Sequence, residues 1–65
     1  KDTLNRFLRS LKTEERRIFL RRYWYGASIV ELSAELGCSQ TRIANILLRT
    51  RKKLKKHLEK EGFTV

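Results

Sequence analysis

The sequence predicts a small all-α domain of four helices, with a helix-turn-helix at its centre and a long basic C-terminal helix. Apolar residues recur at helical spacing in four segments, and the chain contains no proline and only three glycines. Two of those glycines, Gly26 and Gly37, fall between predicted helices. We expect one domain over residues 1–65, with helices at about residues 3–10, 14–25, 29–36 and 40–60.

The first two helices are predicted from spacing and from end signals. Four apolar residues of the first helix share one face because they follow an i, i+3, i+4, i+7 pattern: Leu4, Phe7, Leu8 and Leu11. Thr13 is expected to cap the second helix with its hydroxyl, and Gly26 to end it in a left-handed conformation. Aromatic residues at helical spacing usually belong to a core, so we expect that location rather than base stacking for Tyr23, Trp24 and Tyr25.

The last two helices carry sharper signals. Ser28 and Glu31 have the spacing of a capping box at the start of the third helix, and Gly37 suits its end. Ser39 is expected to cap the fourth helix, which nothing interrupts before Lys60. The inward seam of that helix is predicted to consist of Ile43, Ile46, Leu47, Thr50, Leu54 and Leu58.

The sequence also gives expectations for the two ends of the chain. The first residue is Lys1 rather than Met, so we expect the domain to be cut from a longer protein. Residues 62–65 are predicted to fray, or else to return Phe63 and Val65 to the bundle.

Composition narrows the partners and excludes several classes of site. Sixteen Lys and Arg against seven Asp and Glu give a net charge of +9, which indicates a polyanionic partner: nucleic acid, an anionic membrane surface or an acidic protein. A single cysteine, Cys38, excludes an internal disulfide or a multi-cysteine zinc site and fits a reducing, cytoplasmic location. We expect no membrane insertion, because no apolar run approaches roughly 20 residues.

No constellation of catalytic residues is present, so an enzyme, a metal site and a cofactor are not expected. Paired acids, a nucleophile triad and a phosphate-binding loop are all missing. His57 is predicted to be an exposed, solvated side chain, and Cys38 a small buried hydrophobe.

Only three residues separate the third and fourth helices, which is too few for antiparallel packing and typical of a helix-turn-helix. The fourth helix would then be the recognition helix. Four polar residues near its start are expected to read base edges in a major groove: Gln40, Thr41, Arg42 and Asn45. Six residues farther along or on the other edge are expected to contact DNA phosphates: Arg21, Arg22, Ser28, Arg49, Lys52 and Lys53. The alternative is that the basic run of the fourth helix is simply a solvated face.

Several stretches together resemble one known family over nearly the whole chain. They comprise Phe7–Leu11, Thr13–Arg17, the aromatic cluster before Gly26, Leu36–Ser39 and Arg49–Leu54. This pattern resembles region four of bacterial RNA polymerase sigma factors (sigma-70 family), particularly the extracytoplasmic-function group. The resemblance implies a domain that binds the minus-35 element of double-stranded promoter DNA in transcription initiation. It also implies docking on the beta-subunit flap of the RNA polymerase core, through apolar surface of the first helices and the distal last helix, and an anti-sigma protein as a second partner.

The recognition helix departs from the extracytoplasmic-function pattern at three apolar positions, Ala44, Ile46 and Leu48, where that group commonly carries polar or basic residues. The run Arg42–Ile46 is closer to primary sigma factors, so Ile46 is expected in the core and Leu48 against a thymine methyl group.

Three alternatives stay open from the sequence. The chain resembles the effector domain of LuxR-type response regulators, which would dimerise through Leu47, Leu54 and Leu58. The apolar positions of the fourth helix would also suit a helix-turn-helix used only for protein interaction. Charge alone would suit nonspecific RNA or membrane-surface binding.

Overall fold

The computed structural model describes residues 2–62 and contains four helices in that range. They are α1 (Asp2–Ser10), α2 (Thr13–Tyr23), α3 (Ile29–Leu36) and α4 (Gln40–Lys60). Helix α4 packs against each of the other three, and α2 also packs against α3. The predicted all-α architecture is confirmed. The predicted end at residues 63–65 lies outside the described residues.

The main core lies where α2, α3 and α4 meet. Six buried residues form it: Ile18, Ala27, Leu32, Ile43, Ile46 and Leu47. Cys38 is half-buried against this cluster, in the apolar position predicted for it. Thr50 is fully buried as well, and its hydroxyl donates to the Ile46 carbonyl at 2.8 Å, so its burial leaves no unsatisfied polar group. Because Leu47 belongs to this core, it is not available for the dimer seam that the LuxR-type alternative requires.

A second, smaller core attaches α1 to the bundle. Phe7, Leu11 and Phe19 are its buried members, and the two phenylalanine rings meet edge-on at 5.8 Å. The ring of His57 lies 5.6 Å from that of Phe7, and its Nε2 is 3.0 Å from the Thr3 carbonyl oxygen. The prediction that His57 is solvated was therefore wrong. His57 lies three residues after Leu54 and seven after Thr50, so it shares the inward side of α4, where α1 covers it.

Helix α2 begins and ends differently from the prediction. Lys12 is the capping residue and Thr13 is already helical, so the Thr13 hydroxyl does not cap the helix. The Glu15 carboxylate instead accepts a hydrogen bond from the Lys12 backbone N–H at 3.2 Å. At the other end the helix stops at Tyr23 rather than Tyr25, because the amides of residues 24 and 25 both turn to one carbonyl, that of residue 20.

The aromatic residues at the end of α2 are exposed. Tyr23, Trp24 and Tyr25 are 49%, 73% and 69% exposed, so the expectation that they are core was wrong. Tyr23 is helical and the capping residue Trp24 keeps a right-handed helical backbone, so both are exposed on the helix itself, and only Tyr25 lies beyond it. Tyr23 alone retains an aromatic contact, with Phe19 at 4.9 Å.

The helix-turn-helix forms as predicted. Ser28 Oγ accepts from the Glu31 backbone N–H at 3.0 Å, and the Glu31 carboxylate accepts from the Ser28 N–H at 2.8 Å. Gly37 ends α3 with φ = +66°, a left-handed conformation that favours glycine. Ser39 then caps α4 by accepting from the Arg42 N–H at 3.1 Å. These local bonds define the ends of α3 and α4 and the short turn between them. Within residues 2–62, none of the helices has the length and apolar character needed to cross a membrane.

Candidate nucleic-acid interface

The outer face of α4 is the main candidate site. With Ile43, Ile46, Leu47 and Thr50 directed into the core, the side chains on the far side of the helix are exposed to solvent. Six residues of α4 and its cap line a shallow depression there: Ser39, Thr41, Arg42, Asn45, Leu48 and Arg49.

Three of the four predicted base-reading residues therefore lie together in one depression, namely Thr41, Arg42 and Asn45. Gln40 is also exposed but lies outside the lining. Leu48 is 44% exposed in the middle of this face, whereas Ile46 is buried in the core. Of the two large apolar residues that depart from the extracytoplasmic-function pattern, only Leu48 faces outwards.

Arg42 is held by a carboxylate from another helix. Its guanidinium nitrogen lies 2.7 Å from Oε1 of Glu14, in the first turn of α2. Both side chains are about half-exposed. Sequence reasoning missed this pair, because no local signal links residues so far apart in the chain.

The predicted phosphate contacts fall into two structural groups. Arg49 and Lys52 are exposed and make no salt bridge or side-chain hydrogen bond to any residue in the range 2–62. The other four side chains are already engaged within the fold. Arg21 pairs with Glu35, Arg22 donates to the Ala27 carbonyl, Lys53 pairs with Glu15, and the Ser28 hydroxyl caps α3.

The pair between Glu15 and Lys53 ties α2 to the middle of α4. Lys53 Nζ lies 2.9 Å from one carboxylate oxygen of Glu15 and 3.1 Å from the other, and only 11% of the Glu15 side chain is exposed. The hydrogen bond from Lys53 lowers the pKa of Glu15, aided by the bond from the Lys12 backbone and opposed by burial. Hydrogen bonds from Ser28 likewise lower the pKa of Glu31.

These lowered values predict acid-sensitive folding. A carboxyl whose folded pKa is lowered stabilises the fold above its ordinary pKa of 4.5, and this contribution disappears as the pH falls through 4.5 to the lowered value. We expect Glu15→Gln and Lys53→Met to flatten the pH dependence of the free energy of unfolding between pH values of about 6 and 3.

Urea denaturation at a series of pH values measures this effect. Val30→Ala, at an exposed residue that does not titrate, serves as the control and should keep the wild-type pH dependence. If Glu15→Gln kept the full wild-type pH dependence of the free energy of unfolding, Glu15 would not be a source of the acid sensitivity.

A second surface feature lies between α1 and the end of α2. It is an apolar groove of about 390 Å³, lined by Leu4, Asn5, Leu8, Phe19, Leu20, Tyr23, Trp24 and Tyr25. No residue of α4 lines it, so this apolar groove and the depression on α4 have no residue in common. Exposed apolar surface of this kind usually marks an interaction site.

A metal centre is not formed in the part of the chain that the structure describes. Across residues 2–62, no three His, Cys, Asp or Glu side chains come together in a way that could hold an ion.

Comparison with known proteins identifies the family. Residues 1–54 match the family model described as Sigma-70, region 4, which covers α1 to α3 and the first two thirds of α4. No curated protein and no solved structure gives a match. The match is to the family as a whole, so the extracytoplasmic-function subgroup stays a prediction. On the strength of that match, this chain belongs to the sigma-70 region 4 family, whose members bind promoter DNA and RNA polymerase in transcription initiation.

Proposed function

We propose that the domain recognises the minus-35 promoter element through the N-terminal half of α4, as the C-terminal domain of a sigma factor. The observation that carries this proposal is the depression on α4, where Thr41, Arg42 and Asn45 lie side by side at the start of the second helix of a helix-turn-helix. Residues near the start of such a helix reach base edges first.

The four predicted base-reading residues and Leu48 each have a base partner that suits their chemistry. The guanidinium of Arg42 matches two acceptors of guanine, and the amides of Asn45 and Gln40 match adenine. Thr41 can bond to either kind of base, and Leu48 can contact a thymine methyl group. A bidentate pair of this sort contributes about 1–3 kcal/mol of discrimination.

Arg49 and Lys52 are proposed to make the main phosphate contacts, since no carboxylate in the described range pairs with them. Arg21 and Lys53 would have to exchange a carboxylate for a phosphate, so we expect them to contribute less. Arg22 and the N-terminus of α3 beside Ser28 are proposed to meet the backbone on the other edge. We also propose that the domain has no catalytic activity of its own and acts in the cytoplasm.

Selection of bound duplexes from a randomised pool, at two salt concentrations, tests base reading. We expect a defined motif for the wild type, and we expect Arg42→Ala combined with Asn45→Ala to lose the motif while keeping nonspecific binding. Binding should also weaken steeply with salt, because counterions are released from the DNA.

The matched control replaces the same two residue types on α1, as Arg9→Ala with Asn5→Ala. Both residues are exposed and lie outside α4, so this variant should select the wild-type motif. If the α4 double variant also selects the wild-type motif, or if the wild type selects none, base reading by α4 is wrong. Salt-insensitive binding would favour the alternative of a pure protein-interaction module.

The apolar groove is proposed as the docking site for the beta-subunit flap of RNA polymerase. Its aromatic rim is exposed, and it can be occupied while α4 lies in DNA because the two surfaces have no residue in common. The distal part of α4 offers less exposed apolar surface for docking, since Leu54 packs on the second core and Leu58 is half-buried. An anti-sigma protein remains a second proposed partner, and it would act by covering either surface.

A further inference from the structure

We propose that Glu14, a residue of α2, determines sequence specificity by positioning the guanidinium of Arg42 for base reading. This inference rests on the proposed function of α4 and deepens it. Glu14 acts here as a positioning residue, because it need not contact DNA itself.

The support is a carboxylate that the fold of α2 places against Arg42, one of the residues that line the depression on α4. Glu14 Oε1 lies 2.7 Å from a terminal nitrogen of Arg42. A guanidinium has five N–H donors, so one bond to Glu14 leaves enough donors for a bidentate contact with guanine. Lysine has no such fixed geometry and would not be oriented in the same way.

The backbone that carries Glu14 is fixed relative to α4. The next residue, Glu15, binds Lys53 of α4, and Ile18 one turn later is buried in the main core to which Ile43 of α4 also belongs. The Glu14 carboxylate therefore approaches Arg42 from a rigid support rather than from a loop. A long side chain held at its end loses less freedom when it binds, and this favours the contact that uses the held orientation.

The same carboxylate disfavours nonspecific contacts. If Arg42 swings to a phosphate it abandons Glu14, and the freed negative charge then lies near the DNA backbone. When Arg42 instead contacts a neutral base edge, it keeps its bond to Glu14, and no unpaired carboxylate is left near the DNA backbone. Glu14 thus weakens nonspecific binding more than specific binding, which raises the difference between the two affinities.

The test compares Glu14→Gln with Glu35→Gln, each in the wild-type chain and in the Arg42→Ala chain. Both changes remove one negative charge from a carboxylate paired with an arginine. The measured quantity is the ratio of affinities for the selected duplex and for duplexes altered at single base pairs.

For half-exposed pairs we expect a two- to fivefold effect, about the range found for surface salt bridges. In the wild-type chain, Glu14→Gln should lower this affinity ratio about two- to fivefold for duplexes altered at the base pair that Arg42 reads. In the Arg42→Ala chain, Glu14→Gln should leave the ratio unchanged. Glu35→Gln should raise affinity for all duplexes alike and leave the ratio unchanged.

Equal effects of the two glutamine variants on the ratio would overturn the inference, as would an effect of Glu14→Gln that persists without Arg42. A ratio that depends on Arg42 but not on Glu14 would overturn this inference alone and leave the proposed function intact. A wild type with no sequence preference would overturn both.

Discussion

Replacing Leu32 with alanine is expected to leave most of the domain unfolded at physiological temperature. Leu32 is fully buried in the main core, between α2 and α4. Truncating such a leucine costs about 2–5 kcal/mol, because apolar contact is lost and a cavity remains. A domain of this length is stabilised by only about 3–5 kcal/mol, so the loss is comparable to the whole. Urea denaturation followed by circular dichroism measures it.

Val30→Ala is the matched control, since Val30 lies on the same short helix but is 58% exposed. That change should alter the free energy of unfolding by no more than about 0.5 kcal/mol. Similar losses for the two variants would mean that α3 does not carry the core as described. DNA binding should disappear with the fold in Leu32→Ala and persist in Val30→Ala.

Removing the aromatic rim of the apolar groove is expected to abolish most binding to the polymerase flap without harming the fold. Trp24 and Tyr25 are mostly exposed, so replacing both with alanine removes little buried surface. In a docked complex, however, such residues are typical hot spots and cost 2 kcal/mol or more each, a loss of roughly thirtyfold per residue.

Tryptophan fluorescence can measure this binding directly, because Trp24 is the only tryptophan of the chain. Titrating a tryptophan-free flap fragment into the wild type should shift Trp24 emission as the ring leaves water. A Tyr25→Ala variant should show the same shift at much higher fragment concentration, and Val30→Ala should match the wild type. Promoter DNA should produce no comparable shift, and a DNA-dependent shift with no response to the fragment would contradict the proposed docking site.

Local signals explain what the sequence could predict of this fold. The capping box of Ser28 and Glu31, the left-handed Gly37 and the Ser39 cap all act within a few residues, so the turn between α3 and α4 can be read from the chain. The exposed row on α4 follows from helical geometry once Ile43 and Leu47 are directed inwards.

Features that depend on distant residues could not be predicted in the same way. The end of α2 depends on which carbonyl accepts the last amides, and whether another helix covers Tyr23 and Trp24 depends on the packing of the bundle rather than on their spacing. His57 shares the inward side of α4 with Leu54, but its cover by α1 depends on how the two helices cross. The carboxylate partner of Arg42 required knowledge of where α2 begins relative to α4.

The two consecutive acidic residues of α2 have a mechanical consequence for α4. Glu14 pairs with Arg42 and Glu15 with Lys53, which lie about three helical turns apart on α4. Two salt bridges this far apart along α4 resist rotation of the helix about its own axis more than a single salt bridge would. If α4 reads bases as proposed, α2 determines the angular setting of α4 in the DNA groove, and we expect substitutions in α2 to change which bases are read.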